Sequence, residues 1–394
     1  MYLILGIFAI IPLIFSHTFA RFWADFIIDN NIGHFESIKM HFFLILLVLA
    51  SIEIFTNTQK WRKIMWEYKK NKYFLSGCFL FFLLAFWIYP YEHYWDLLLG
   101  IGEKQHGLLL PTGLIWLYIL LHFLEKSELQ KIGYTIIGTG SIVALVALIE
   151  ILGYNIFTGA IYSVEGSWWE VRSTSTLGNP NYVAGYLLMI LPLIVFQMRG
   201  VLKYILFIAL WSGIIATKSM IGIWLLLAYS LYLFGKKIIP KKIHLLFPVI
   251  IILGGASVYF FFAGTEKWLS LTSRFVLMKH TFLGSLDSMI AILFWHGPDA
   301  IIRYFSFIRA PEIDAYFPPN MIIDSSHNIF IDILSMYGVI GVWFFVYVTL
   351  SRLKHLDHAS KVGLMLGLSF LSLNVFVLSH MILLVYFLSF TKKS

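Results

Sequence analysis

The amino-acid sequence predicts an all-α polytopic membrane protein with about twelve transmembrane helices, on three observations. The chain is 59% hydrophobic and only 13% charged, with a mean hydropathy of +0.82. A soluble domain of 394 residues could not hide that much apolar surface. Apolar runs of roughly membrane-crossing length recur from end to end, bounded by charged or turn residues. Lysine and arginine are sorted into alternate connections between those runs, as the positive-inside rule requires. Residues 1–394 then form a single integral membrane domain, with one large, partly helical external loop at 264–326 between the ninth and tenth spans.

Taken in order, the spans are expected near 2–16, 41–57, 73–89, 107–124, 132–153, 182–197, 203–217, 220–234, 244–263, 327–350, 362–377 and 379–390. The first lacks a basic leader, and Thr18-Phe19-Ala20 only loosely resembles a cleavage site, so it reads as an uncleaved helix. The last two run together, and Val362 to Phe390 can also be read as one long tilted helix. The single cysteine, Cys78, lies in an apolar run, which excludes an internal disulfide and a CxxC metal or redox site. No internal repeat is visible, which argues against a transporter of duplicated halves.

Placing the connection at 58–72 in the cytoplasm puts Lys60, Arg62, Lys63, Lys69, Lys70 and Lys72 inside. Alternation then puts Lys126, Lys131, Arg199, Lys203, Lys236, Lys237, Lys241, Lys242, Arg352, Lys354, Lys361, Lys392 and Lys393 on the same side, with both termini. Most of the formal +8 charge is therefore a topology signal, and nucleic-acid binding is excluded. The internal connections are short and basic. The unusual material lies outside, in loops at about 154–181 and 264–326. In the larger loop, Trp268 to Phe294 mixes apolar residues with Arg274, Lys279, His280 and Asp287, as an amphipathic helix on a membrane face would. A Gly297-Pro298 break, a short run carrying Arg303 and Arg309, and Pro318-Pro319 follow.

Two stretches could carry chemistry. Ser325-Ser326-His327-Asn328 opens the tenth span with His327 at the water boundary. Ile331, Leu334, Gly338 and Gly341 fall on one stripe below it, about 21 Å long on a continuous helix. The positive end of a helix disfavours imidazolium and attracts anions, which suits a general base beside a phosphate. An interfacial histidine without a role is the alternative reading. Asp332 lies about 140° round the helix from His327, so a structural hydrogen bond is expected of it, and Asp324 or a loop backbone group suits better as the partner of His327. The second stretch is Arg172-Ser-Thr-Ser-Thr-Leu-Gly-Asn-Pro-Asn181. Its turn caps the next helix, with Asn181 expected as the N-cap, and its hydroxyls could bind sugar or phosphate. External cations run against the charge trend. Arg172, Arg274, Arg303 and Arg309 are therefore candidates for phosphate oxygens, with surface solvation as the alternative.

Together these residues resemble the O-antigen ligase and O-antigen polymerase family of bacterial envelope enzymes. The resemblance covers roughly 172–341. It rests on Arg172 with Thr176-Leu177-Gly178-Asn179-Pro180-Asn181, and on His327-Asn328 followed after nine residues by Gly338-x-x-Gly341. Arg274 and Gly297-Pro298 in the intervening loop complete it. It implies a metal-independent, cofactor-free, inverting glycosyltransferase in the bacterial inner membrane, with its active site facing the periplasm. The donor would be a glycan on undecaprenyl diphosphate and the acceptor a lipid A core or a growing glycan. His327 would be the base and Arg274 the diphosphate clamp, with Arg172, Asn179, Asn181, Asn328, Arg303 and Arg309 around the substrate. One departure stands out. Where the family carries a Ser-Arg pair, this chain reads Lys218-Ser219-Met220, so Lys218 or Arg172 would have to supply the missing charge. The match favours ligase over polymerase, and a flippase or exporter of lipid-linked glycans is the alternative of another class.

Overall fold

The computed structural model describes residues 1–14, 35–57, 62, 98, 107–154, 172–238, 266–293, 297, 300–307, 310–317, 323, 325–375 and 377–390. Among them the chain is helical, without extended strands. The helices are α1 (Tyr2–Ile10), α2 (Phe35–Thr56), α3 (Leu109–His122), α4 (Lys126–Ile151), α5 (Pro180–Gln197), α6 (Gly200–Ala216) and α7 (Met220–Ile238). Beyond them come α8 (Glu266–Gly284), α9 (Met289–Leu293), α10 (Ala300–Phe307), α11 (Pro311–Asp314), α12 (Ile329–Leu353), α13 (His358–Leu371) and α14 (Leu378–Ser389). Four stretches, Ile38–Thr56, Lys126–Ile151, Pro180–Gln197 and Ile329–Leu353, are long and apolar enough to cross a membrane. The spans expected at 73–89 and 244–263 lie outside the described residues.

The core is built round α5. Every residue from Val183 to Ile194 is buried, because α5 packs against α4, α6, α7, α13 and α14. A helix apolar on all sides belongs in the middle of a bundle. Close approach is possible where side chains are small. A Cβ on Gly185 would stand 2.5 Å from Phe370 Cε1 and 2.7 Å from His380 Nε2, so that residue lets α13 and α14 close on the central helix.

The region 362–390 holds two helices, since α13 ends at Leu371 with Ser372 as its C-cap and α14 begins only at Leu378. The tenth span also departs from expectation. It starts at Ile329 with Asn328 as its N-cap, which leaves His327 outside the helix. Gly338 adopts φ 65° and ψ −172°, a conformation open to glycine and closed to other residues, and it kinks the helix there. No continuous stripe runs from His327 to Gly341. A Cβ on Gly341 would meet the Cβ of its own Tyr337 at 2.3 Å, so this glycine accommodates the kink and not a neighbouring helix. The face that α12 buries is that of Ile329, Asp332, Ile333, Ser335 and Met336.

The expected amphipathic helix in the large loop is present as α8. It packs on α12 and α11, while α9 and α10 also rest on α12. Glu312 of α11 ties the layer by accepting from Lys279 Nζ at 2.7 Å and from His280 Nε2 at 3.0 Å. Leu269, Phe275, Phe282, Leu283 and Met289 remain exposed on its outer side.

Candidate functional site

Helix directions alternate so that the C-terminal ends of α4, α6 and α13 meet the N-terminal ends of α5, α7, α12 and α14. Two buried carboxylates organise this polar end. Glu150, in the last turn of α4, accepts hydrogen bonds at 2.8 Å each from Ser173 Oγ, Thr174 N and Ser175 N. The hydroxyls that follow are also used within the fold. Ser175 Oγ donates to the Val143 carbonyl at 2.7 Å, and Thr176 Oγ1 to the Pro12 carbonyl at 2.7 Å. Ser173, Ser175 and Thr176 are buried, so these hydroxyls fasten the loop and do not face a ligand. Fastening it fixes Arg172 at the bundle rim, where its Nε donates to the Thr217 carbonyl at 3.3 Å.

The turn of Gly178-Asn179-Pro180-Asn181 forms as expected, with one correction. Asn179 is the N-cap of α5, its Oδ1 accepting from Asn181 N at 2.9 Å, and Pro180 occupies the first helical position. Proline there has no N–H to satisfy, which moves the cap one residue pair earlier than periodicity suggests. Asn181 instead accepts from Ser219 Oγ at 2.9 Å and ties α5 to α7. Lys218, between Thr217 and Ser219, has φ 51° and is half-buried at the same turn as Arg172. Met220 begins α7.

The second carboxylate is Asp332, which is fully buried. It accepts from Ser325 Oγ at 2.8 Å, Ser326 N at 2.8 Å and Ser326 Oγ at 2.6 Å. The structural hydrogen bonding expected of Asp332 is present, and it reaches His327 through one intermediary. His327 N donates to Ser325 Oγ at 3.0 Å, the hydroxyl that Asp332 holds. Asp332 therefore anchors the backbone of the histidine turn through Ser325 and Ser326, as a structural hydrogen-bond acceptor and not as a direct partner of the imidazole. His327 itself precedes the helix and is not bound by its geometry. His327 has φ 62°, a left-handed conformation that is unfavourable for a non-glycine residue and needs such a network to persist. Asp324 and Arg309 lie outside the described residues, as does the side chain of Arg303.

The break between α13 and α14 joins the histidine turn to Arg274. Asn328 Oδ1 caps α12 by accepting from Phe330 N at 2.9 Å, and its Nδ2 donates to the Ser372 carbonyl at 2.9 Å. The next two residues hold Arg274 of α8. Its Nη1 donates to the Leu373 carbonyl and to Asn374 Oδ1, both at 2.8 Å. Asn374 is 1% exposed and donates in turn to the Phe370 carbonyl at 3.3 Å. His380 Nε2 donates to the Tyr182 carbonyl at 3.0 Å, which draws α14 onto the start of α5. Asn374 and Glu150 are the two residues that sequence reasoning missed. The available signal was a polar side chain set inside an otherwise apolar run near a membrane boundary.

Electrostatics single out the arginines. Burial lowers the Arg274 pKa, the nearby positive charge of Arg172 lowers it further, and Tyr182 opposes the shift. Partial burial likewise lowers that of Arg172. Both guanidinium groups still carry full charge at neutral pH. Among the described residues no carboxylate pairs with either one; their acceptors are two carbonyls at Thr217 and Leu373 and the amide of Asn374. Two like charges brought together without a counter-charge make a site for an anion. The N-terminal ends of α5, α7 and α12 at the same place add to that field. Among the described residues no three His, Cys, Asp or Glu side chains gather as a metal site requires.

What these features define is an α-helical bundle with apolar, membrane-length helices and a polar end where arginines without carboxylate partners among the described residues stand with an anchored histidine turn. Compared with known proteins, the chain matches no family model, no curated protein and no solved structure.

Proposed function

We propose that the chain is a membrane glycosyltransferase of the O-antigen ligase or polymerase type. It would transfer a glycan from undecaprenyl diphosphate to an acceptor hydroxyl at the outer face of the bacterial inner membrane. The observation that carries the reading is that Arg172 and Arg274 lie near each other without carboxylate partners among the described residues, with Arg274 linked through Ser372-Leu373-Asn374 to the turn that bears His327. A diphosphate supplies the missing negative charge. A guanidinium held by neutral acceptors on one edge keeps donors on the other for phosphate oxygens.

In the proposed reaction the imidazole of His327 takes the proton of the acceptor hydroxyl. The acceptor oxygen attacks the anomeric carbon of the donor from the face opposite the leaving group and inverts that centre. The bond from the anomeric carbon to the diphosphate oxygen breaks, and the departing lipid diphosphate carries the negative charge. Arg274 and Arg172 stabilise that charge as it develops, with Lys218 at the adjoining turn. Stabilisation of this kind supplies much of the rate in comparable chemistry. The exposed apolar side of α8 and α9 suits a helix pair resting on the outer membrane surface, where a lipid-linked donor is presented. The ligase acceptor, a lipid A core, is favoured by the His327-Asn328 and Gly338-x-x-Gly341 pattern, with a growing glycan as the acceptor in the polymerase alternative.

The test is transfer from a purified undecaprenyl-diphosphate glycan, with lipid A core and free repeat units offered in parallel. His327→Ala is expected to abolish transfer while the protein still elutes as a folded species. Unimpaired transfer by that variant would remove His327 as the base, and absence of transfer by the wild-type chain to either acceptor would sink the glycosyltransferase reading.

A further inference from the structure

The opposite, basic end of the bundle holds a second feature that the proposed reaction does not use. A cavity of about 610 Å³ opens between the N-terminal turns of α4, the end of α5, the connection to α6 and the start of α13. We propose that it binds the phosphate-bearing headgroup of an anionic phospholipid. The proposal does not rest on the glycosyltransferase reading.

The lining supplies the chemistry. Lys126, Gln130 and Tyr134 stand four residues apart along α4, which places them on one face of that helix. Arg199 faces them from the head of α6. Neither Lys126 nor Arg199 is engaged by a carboxylate among the described residues. Asp357 also lines the cavity, but its Oδ1 is occupied as the N-cap of α13, accepting from Ser360 N at 2.8 Å. Gln197 adds an amide whose Nε2 and Oε1 are both buried without a hydrogen-bond partner. The Tyr386 hydroxyl beside it donates to the Leu129 carbonyl at 3.2 Å. A buried amide with neither atom satisfied is costly, and a phosphate or glycerol hydroxyl entering the cavity would satisfy it. The volume is that of a small-ligand pocket.

The walls decide between a lipid and a soluble anion. Tyr134 and Phe196 line the cavity and are themselves exposed, and the apolar surface continues along α6 through Val201, Leu202, Tyr204 and Ile205, all exposed. A headgroup seated between Lys126 and Arg199 therefore has a path for its acyl chains against that surface. Basic pockets between helices at the water boundary recognise anionic headgroups in this way. A soluble phosphate would leave the apolar lip without a purpose.

The experiment is native mass spectrometry of the full chain purified in a non-ionic detergent, counting phospholipid retained per chain. Phosphatidylglycerol, phosphatidylcholine and inorganic phosphate serve as probes. Wild type is expected to retain one phosphatidylglycerol in preference to phosphatidylcholine. Lys126→Gln with Arg199→Gln should lower that retention at least tenfold, two cation contacts having been lost. Lys203→Gln, a neighbouring basic residue outside the cavity, should leave it unchanged. Arg199→Gln alone, at an exposed helix cap, carries the same measurement if the double variant does not fold. Equal retention by wild type and cavity variants would overturn the proposal, as would equal loss in Lys203→Gln. Full displacement of the lipid by millimolar inorganic phosphate would overturn the lipid assignment in favour of a small-anion site.

Discussion

Replacing Asp332 by alanine should release the histidine turn while leaving the bundle folded. Three donors lose their acceptor: Ser325 Oγ, Ser326 N and Ser326 Oγ. Ser326 is buried and its backbone amide donates to Asp332 Oδ1, so leaving that amide unsatisfied costs about 1–3 kcal/mol. Each hydroxyl can rotate, and Ser326 Oγ already lies 3.3 Å from the Asn328 carbonyl, so each hydroxyl loss is closer to about 1 kcal/mol. The sum, roughly 3–5 kcal/mol, exceeds the roughly 1–2 kcal/mol that a left-handed residue such as His327 disfavours its own conformation. The turn should therefore open. At about 1.4 kcal/mol per factor of ten, amide exchange at Ser326 and His327 should quicken from about 10²-fold to several times 10³-fold. Exchange in the buried middle of α5 should not change. Hydrogen exchange resolved to peptides covering 323–331 and 183–194 makes the measurement, with glycan transfer assayed on the same material. Unchanged protection at 325–327 in Asp332→Ala would refute the anchoring role, whatever happened to activity.

Three further outcomes follow from the same geometry. Arg274→Lys should lower transfer about 10²-fold, since a point charge cannot reach Leu373 and Asn374 and still present donors to a diphosphate; Asn374→Ala should lower it roughly tenfold through loss of one charge-assisted acceptor, and full activity in both would detach the arginine from the reaction. Gly185→Ala places a methyl 2.5 Å from the Phe370 ring, so thermal unfolding should report a loss of about 1–3 kcal/mol, and an unchanged midpoint would mean that α13 is not held against α5 as described. Hydrogen bonds from Lys279 and then His280 hold the Glu312 carboxyl below the ordinary carboxylate range. A depressed value means that this tie is fully present above the unfolded-state value, near about pH 4.3, and is lost as pH falls through the lowered one. Proteolytic protection of 311–317 should therefore hold from neutral pH down to that window and fail below it, and Glu312→Gln should show no such acid step.

The helices were legible because hydropathy and length are local properties. Runs such as 132–153 and 182–197 carry their own boundary residues; α5 formed within two residues of its run, and α4 ends within two residues of its run but begins six earlier, at Lys126. The layer at α8 was legible for the same reason, through alternating apolar and charged positions. What the sequence hid was set by contacts between distant segments. Asn181 looked like a cap because it precedes an apolar run, yet Pro180 fills the first helical position and passes the cap to Asn179. The stripe below His327 assumed an unbroken helix, whereas Gly338 turns the chain out of helical geometry. A glycine in an apolar span reads equally well as a close-packing residue or as a kink, and only the packing of α12 decides. Asn374 and the carbonyls of Ser372 and Leu373 were least legible, since a carbonyl acceptor leaves no mark on residue type.

The sorting of charge at the polar end bears on how such a site would work. Glu150 and Asp332 lie buried there, and either could in principle have neutralised an arginine. Both are turned inward instead, collecting backbone amides and hydroxyls from the loops that carry Arg172 and His327. Asp332 accepts through both oxygens and Glu150 through Oε2 alone, its Oε1 being buried without a hydrogen bond among the described residues, and the guanidinium groups keep their charge for something outside the scaffold. An arginine locked in a buried ion pair would have to break that pair before binding a phosphate, and doing so leaves an uncompensated carboxylate. An arginine held by carbonyls and an amide gives up only neutral acceptors, so its preference for an anion is retained almost whole. Such a preference accelerates transfer most where it strengthens as the leaving diphosphate gains charge. For that reason Asn374→Asp, which would supply the missing carboxylate to Arg274 at the 2.8 Å contact, is expected to slow transfer more than Asn374→Ala does while making the protein no less stable. The opposite ranking in activity would show that Arg274 serves the fold and not the substrate.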